Sequence, residues 1–218
     1  MFSKKTKNPK KGLQISLNDF RNFDESDPAS IQMLMSQVME LEVKLRDQQN
    51  MIESLEKDAM TDSLTGLANR RMFEIELQKS LAFVKRYKRR SALLFVDIDA
   101  FKSINDQFGH LAGDHALKLV ADILKQNVRP NDLVARLGGD EFVVILNEVD
   151  SAYDVTSRAK NLETMIARTP LVFDHNTIQL TASIGAKPFT MHDTVETVLE
   201  GADTSMYAHK TLNKEMSS

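Results

Sequence analysis

The chain has 218 residues, 42% hydrophobic and 27% charged, a balance that suits one packed domain with an appendage and excludes a wholly disordered chain. A formal net charge of −3 argues against wholesale binding to a nucleic-acid polymer or an anionic membrane, and the lack of cysteine removes disulfides and thiolate metal sites. No apolar run approaches the roughly 20 residues of a membrane helix, and residues 1–5 lack the core of a signal peptide, so the reading is a soluble, cytoplasmic protein with no membrane span.

Residues 1–28 form a polar tail whose lysines, Lys4, Lys5, Lys7, Lys10 and Lys11, read as a solvated terminus or as contacts to phosphate or a membrane surface. From Ser30 the pattern changes. Ile31, Val38, Leu45, Ile52 and Ala59 recur every seven residues, with Leu34, Leu41, Gln48 and Leu55 between them. These are a and d positions of a heptad, and mostly β-branched a positions with Leu at d favour a parallel two-stranded coil over residues 29–59. The narrow apolar stripe favours that homodimer over a single helix lying on its own domain, and a parallel coil sets two copies of the following domain, residues 60–218, side by side.

A turn-rich linker, residues 61–71, leads into a helix predicted over 70–87, closed by cations at Lys85, Arg86, Lys88, Arg89 and Arg90. Ser91–Ile98 reads as a buried strand ending in acids, with Asp99 as the cap of the next helix. A carboxylate at Asp97, between Val96 and Ile98, is costly unless paired or bound to metal. The chain breaks at Phe108-Gly109-His110, and Ala116, Leu117, Val120, Ile123 and Leu124 then mark an amphipathic helix. Strands are expected at 132–137, 141–146 and 177–186. A helix capped by Asp150 runs to about residue 168, and a last one starts from the capping-box pattern of residues 193–196. The order of elements gives an α/β (α+β) fold with at least one antiparallel pair.

Between the two middle strands stands Leu137-Gly138-Gly139-Asp140-Glu141-Phe142. Glycine accepts the positive φ of a tight hairpin and lets a ligand approach bare backbone. Adjacent carboxylates at such a turn suit a divalent cation and the phosphates it carries, although glycine and acid are also ordinary turn residues.

Several separated motifs now carry a resemblance. They are Asp62-Ser63-Leu64-Thr65-Gly66-Leu67 with Asn69-Arg70-Arg71; Asp97-Ile98-Asp99 with Phe101-Lys102 and Asn105-Asp106; Gly109-His110 with Gly113-Asp114; the glycine turn through Phe142; and Ala202-Asp203 with Tyr207 and Lys210. In this order they resemble the GGDEF domain family, the catalytic domain of diguanylate cyclases, over about the last seven-tenths of the chain. The resemblance implies a palm-like nucleotide-cyclase fold, a central mainly antiparallel sheet wrapped by helices. It implies condensation of two GTP into cyclic di-GMP, with release of two pyrophosphates across the interface of two domains.

By that resemblance Asp97, the carbonyl of Ile98, Asp140 and Glu141 hold Mg²⁺ (or Mn²⁺). Asp140 is the better candidate for the base that takes the 3′ proton and Glu141 for a pure ligand; the sequence does not separate the two roles. Lys102 stabilises charge on the phosphates and Lys210 binds the triphosphate. The backbone at Phe101 and Lys102, at a helix start, suits the same phosphates, as does the bare backbone of Gly138 and Gly139. Asn105 and Asp114 read guanine, since a carboxylate accepts from both N1–H and the exocyclic amine. His110 matches a substrate position and equally suits a local backbone role. After the final lysine the family's usual Gly-Arg-Asn is Asn213-Lys214-Glu215 here, so Lys214 keeps the charge without the bidentate fork.

Arg129-Pro130-Asn131-Asp132 has the Arg-x-x-Asp form, separated by five residues from Gly138. In the family that offset marks a product-inhibition site, where Arg offers a donor fork and Asp an acceptor to guanine; Arg86 or a neighbour is a candidate further phosphate contact. The leading expectation is an active, feedback-inhibited cyclase. The alternative is a catalytically silent domain that binds cyclic di-GMP.

Overall fold

The structure is a computed structural model describing residues 27–216, apart from the side chains of residues 53, 54, 56–58, 153, 209 and 212–216. The lysines of the tail lie outside the described residues. By its contacts the chain divides into two compact units, Met1–Ser54 and Leu55–Ser218.

Helix α1 spans Pro28–Met60. Asp27 caps it, accepting from the backbone N–H groups of Ala29 and Ser30 at 3.2 Å each, and Pro28 occupies the first helical position, where its missing N–H costs nothing. The heptad residues Ile31, Val38, Leu41, Leu45 and Ile52 are exposed. A helix that leaves this stripe in water draws little stability from its own unit.

The second unit is built on a four-stranded antiparallel sheet in the order β2-β3-β1-β6, with β1 Ser91–Ile98, β2 Leu133–Gly138, β3 Glu141–Leu146 and β6 Ala182–Phe189. Both faces are covered, which is why β1 and β3 read as continuous apolar runs rather than alternating ones. Ala92, Leu94, Val96, Phe142, Val144 and Leu146 pack toward α4 (His110–Gln126) and α5 (Ala152–Arg168). Leu93, Phe95, Val143 and Ile145 pack toward α2 (Arg70–Tyr87) and α6 (Val195–Met216). Period-2 alternation therefore sends Asp97 and Glu141 to the α2/α6 face.

Four local expectations are corrected. Asp99 does not cap α3 (Phe101–Phe108): Ala100 takes that position, with φ 52° and no side-chain bond, while Asp99 accepts from Ser183 Oγ at 2.7 Å. Ser151, not Asp150, caps α5 by accepting from Asp154 N–H at 3.1 Å. At α6 the cap is Thr194, which exchanges bonds with Thr197, because Asp193 is drawn back to Thr190 N–H and Lys187. The strand expected over 177–186 is two strands. Its first part, β5 (Asn176–Ile178), pairs with β4 (Leu171–Phe173) in a separate hairpin turned by Asp174 and His175 at positive φ. Buried Leu180 and the Thr181 carbonyl, which accepts Asp99 N–H, then lead into β6.

Candidate active site

Asp97 is the next-to-last residue of β1, only 8% exposed, and lies in register with Glu141 of β3 on one side and Ser183 of β6 on the other. Lys210, one of the last residues of α6, reaches its Oδ1 at 2.5 Å. Burial raises the Asp97 carboxyl above its ordinary range; Lys210 opposes this, and Asp140 and Asp99 add to it. Glu141 is raised by burial first, against the pull of Arg70 and with Asp140, Asp97 and Asp203 adding repulsion. Burial works against the Lys210 ammonium, but the hydrogen bond and charge of Asp97 outweigh it and hold its pKa high. Asp97, Asp140 and Asp99 thus all act on Lys210, and the carboxylates at this end of the sheet outnumber the cations. Two carboxylates facing each other across a strand pair, with backbone carbonyls nearby, fit a hard divalent cation that takes its remaining ligands from substrate oxygens. Among the described residues no three carboxylate or imidazole groups gather as a complete metal cage.

The glycine turn stands at the same end of the sheet. Gly138 (φ 145°) and Gly139 (φ 54°) occupy backbone conformations that favour glycine, and open space lies where a side chain would stand at either. The ladder shifts register between Arg136 and Gly138, a bulge that re-aims the strand end. Arg136 then grips the turn: its Nε and Nη2 donate to the Gly139 carbonyl at 3.0 and 2.7 Å, and its Nη1 to Asp62 at 3.1 Å. Asp62 also accepts from Thr65 N–H and Oγ1. The sequence placed Asp62 in a motif but gave no hint of Arg136, which sits 74 residues away.

Phe101 and Lys102 open α3 beside the end of β1, with Lys102 exposed. The side chain of Asn105 lies against Gly113 of α4, next to half-buried Asp114. His110 opens α4 in an exposed position after Gly109 (φ 85°), whose N–H donates to the Asn105 carbonyl. Lys214 falls in the last turns of α6, and its side chain lies outside the described residues.

Arg129 and Asp132 form a turn before β2. Arg129 is exposed, and its backbone N–H donates to Asp132 Oδ2 at 3.0 Å. Asp132 has no exposed side-chain surface: Oδ2 also accepts from Arg158 Nη2 at 2.7 Å, and Oδ1 from Asn147 N–H at 2.9 Å. Arg158, on α5, is a residue the sequence reading missed, since nothing in its spacing ties it to residue 132. A cleft of about 570 Å³, lined in part by Phe83, Leu133, Asn131 and Asp132, borders this turn. Arg86 stacks over Tyr87, which lies against Phe83.

An antiparallel sheet wrapped by helices, with facing acids, a glycine turn and a lysine from the last helix at one end, defines a palm-like α/β domain. The chain belongs to the family described as diguanylate cyclase, GGDEF domain, whose profile matches residues 59–216. It is 35% identical to the diguanylate cyclase DgcP of Pseudomonas aeruginosa over 210 residues, 94% of this chain and 31% of DgcP. To TpbB of the same species, also named a diguanylate cyclase, it is 36% identical over 178 residues, 81% of this chain and 40% of TpbB. The chain thus spans about a third to two-fifths of the length of these relatives. The crystal structure of the coiled coil and GGDEF domain of DgcB from Caulobacter crescentus, in complex with c-di-GMP, superposes with TM-score 0.77 at 28% identity, covering 82% of this chain and 94% of that one. No helix among the described residues is long and apolar enough to cross a membrane.

Proposed function

We propose that the chain is a diguanylate cyclase, with residues 60–218 as the catalytic domain and residues 29–59 as a parallel coiled coil that pairs two copies. The observation that carries this is the cross-strand pair Asp97 and Glu141, in register, with Lys210 on Asp97 and the glycine turn beside them. Homology to named cyclases supports the reaction class.

Each domain of the pair holds one GTP. The 3′-oxygen of each substrate bonds to the α-phosphorus of the other, and the bond from that phosphorus to the pyrophosphate leaving group breaks. Asp97, Glu141 and the Ile98 carbonyl would hold Mg²⁺ (or Mn²⁺), which when bound neutralises phosphate charge. Asp140, at the tip of the turn and outside the cross-strand pair, takes the 3′ proton. Lys210, which rests on Asp97, would bind the triphosphate, and Lys102 stabilises charge at the α-phosphate. The bare backbone at Gly138 and Gly139 gives the nucleotide room, and the amides at Phe101 and Lys102 line the phosphates. Asn105 and Asp114 read guanine, with His110 at the edge of the base. The coil raises the effective concentration of one half-site for the other.

Product docks at Arg129, whose side chain is exposed, while Asp132 shapes the turn that presents it. Neighbouring structures with bound c-di-GMP support this family-level role. The test is incubation with GTP and Mg²⁺. The wild type should form cyclic di-GMP at a rate per protomer that rises with protein concentration, and Asp140→Ala should abolish it. Binding of cyclic di-GMP in a calorimeter without turnover at any concentration would instead establish a silent receptor.

A further inference from the structure

Gly113 lies in the first turns of α4, where its backbone is not in the left-handed region and conformation alone does not call for glycine. Helix interiors disfavour glycine against alanine. What calls for it is a close approach. A methyl at 113 would stand 2.0 Å from Asn105 Oδ1, 3.0 Å from its Cγ and 3.2 Å from Phe101 Cζ. Phe101 and Asn105, four residues apart, share one face of α3, and that face lies on Gly113. The Gly109 N–H donates to the Asn105 carbonyl at 2.9 Å, so the backbone of residue 105 is held as well.

We propose that Gly113 is a specificity-determining residue: its bare Cα seats the Asn105 carboxamide against α4, beside Asp114, so that the two side chains read the guanine edge as one unit. The inference rests on the guanine reading of Asn105 and Asp114 proposed above. A methyl would push the amide aside rather than break the fold, because the atom it meets first is the end of a short rotatable side chain. The loss would fall on base recognition, where an unpaired polar group in a site built for hydrogen bonds discriminates strongly.

The experiment measures binding of the α,β-methylene analogues of GTP and ITP, which cannot turn over, to the full chain with Mg²⁺; inosine lacks the exocyclic amine. The wild type should prefer guanine. Gly113→Ala should weaken guanosine binding about tenfold, the cost of one lost hydrogen bond, with inosine affected less and Tm little changed. In an Asn105→Ala background Gly113→Ala should have no further effect, and this pair of variants decides the matter even where Gly113→Ala alone folds poorly. A wild-type guanine preference that Gly113→Ala leaves intact would overturn the inference. So would an equal loss from Gly113→Ala with and without Asn105. A wild type with no guanine preference would overturn the guanine reading itself, and this inference with it.

Discussion

Arg136 joins Asp62 to the turn that carries Asp140: one guanidinium donates to the Asp62 carboxylate at 3.1 Å and to the Gly139 carbonyl at 2.7 Å. The loop in which α1 ends is thereby tied to the glycine turn by a single side chain. Arg136 and Asp62 are 12% and 22% exposed, sheltered enough for the pair to count for more than a surface ion pair.

Asp62→Asn should therefore destabilise the fold by about 1.5–3 kcal/mol, the range for hydrogen bonds to charged groups, and lower turnover by loosening the turn. Burial works against the Asp62 carboxylate, but Thr65 and Arg136 outweigh it and hold its pKa below the ordinary range. A depressed carboxyl contributes stability above the unfolded value, lost as pH falls through the folded one. Thermal melts below about pH 4 should show this loss in the wild type and a smaller one in Asp62→Asn.

At the turn before β2, Arg129 and Asp132 should separate in their effects. Arg129→Ala removes an exposed fork and should relieve product inhibition with Tm little changed. Asp132→Ala strands the buried side of Arg158 and the Asn147 N–H, and should cost about 1–3 kcal/mol. Equal stability losses in the two variants would contradict this division.

Much of this was legible in the sequence where one local pattern fixes one outcome. The β1 run ending at Asp97, the α2 limits at residues 70 and 87, and the glycine turn are such cases. Caps were less legible, because Asp99 and Asp193 sit beside competing donors that the fold brings near, Ser183 for Asp99 and Lys187 for Asp193, and because Ser151, next to Asp150, takes the cap of α5 itself. The 177–186 run misled because continuous alternation does not reveal that its two halves pair in different sheets. Arg136 and Arg158 were invisible because their partners lie 74 and 26 residues away and no periodicity connects them.

Glu141 and Asp97 repel across the ladder, and like charges directly opposite destabilise a sheet by an amount comparable to the 0.2–1 kcal/mol of a favourable pair, roughly. Glu141→Gln should leave the metal-free protein as stable as the wild type or slightly more so. It should also lose most of the thermal shift that Mg²⁺ gives the wild type and most of its turnover. Carboxylates raised by burial oppose folding when ionised, a penalty that sets in as pH rises through the folded values. The Mg²⁺-dependent rise in Tm should accordingly grow with pH across that window.

Gly185 of β6 faces α6, and a methyl there would meet backbone: Met206 N at 2.2 Å and the Ala202 carbonyl at 2.4 Å. Unlike the amide at Gly113, these atoms cannot swing aside, so the whole helix must move, and Lys210 lies one turn beyond Met206. Gly185→Ala should cost about 1–3 kcal/mol by overpacking and raise the KM for GTP through displacement of Lys210. A variant with lowered Tm but unchanged KM would show that Lys210 does not depend on this contact.

The stripe on α1 gives the last prediction. Val38, Leu41 and Leu45 are each more than two-fifths exposed, and they fall at successive a, d and a positions of the heptads. If this stripe is the seam between two copies, a lysine at its centre puts two ammonium groups face to face in an apolar contact. Leu41→Lys should shift the protein from dimer to monomer in sedimentation and reduce turnover most at low protein concentration, where the coil supplies the effective concentration of the second half-site. At high concentration the domains can still meet, so much of the rate should return. The lysine removes no group of the second unit, so thermal unfolding of that unit should be unchanged. A monomer whose rate per protomer is low but independent of concentration would show that α1 acts on the active site by some route other than pairing two copies.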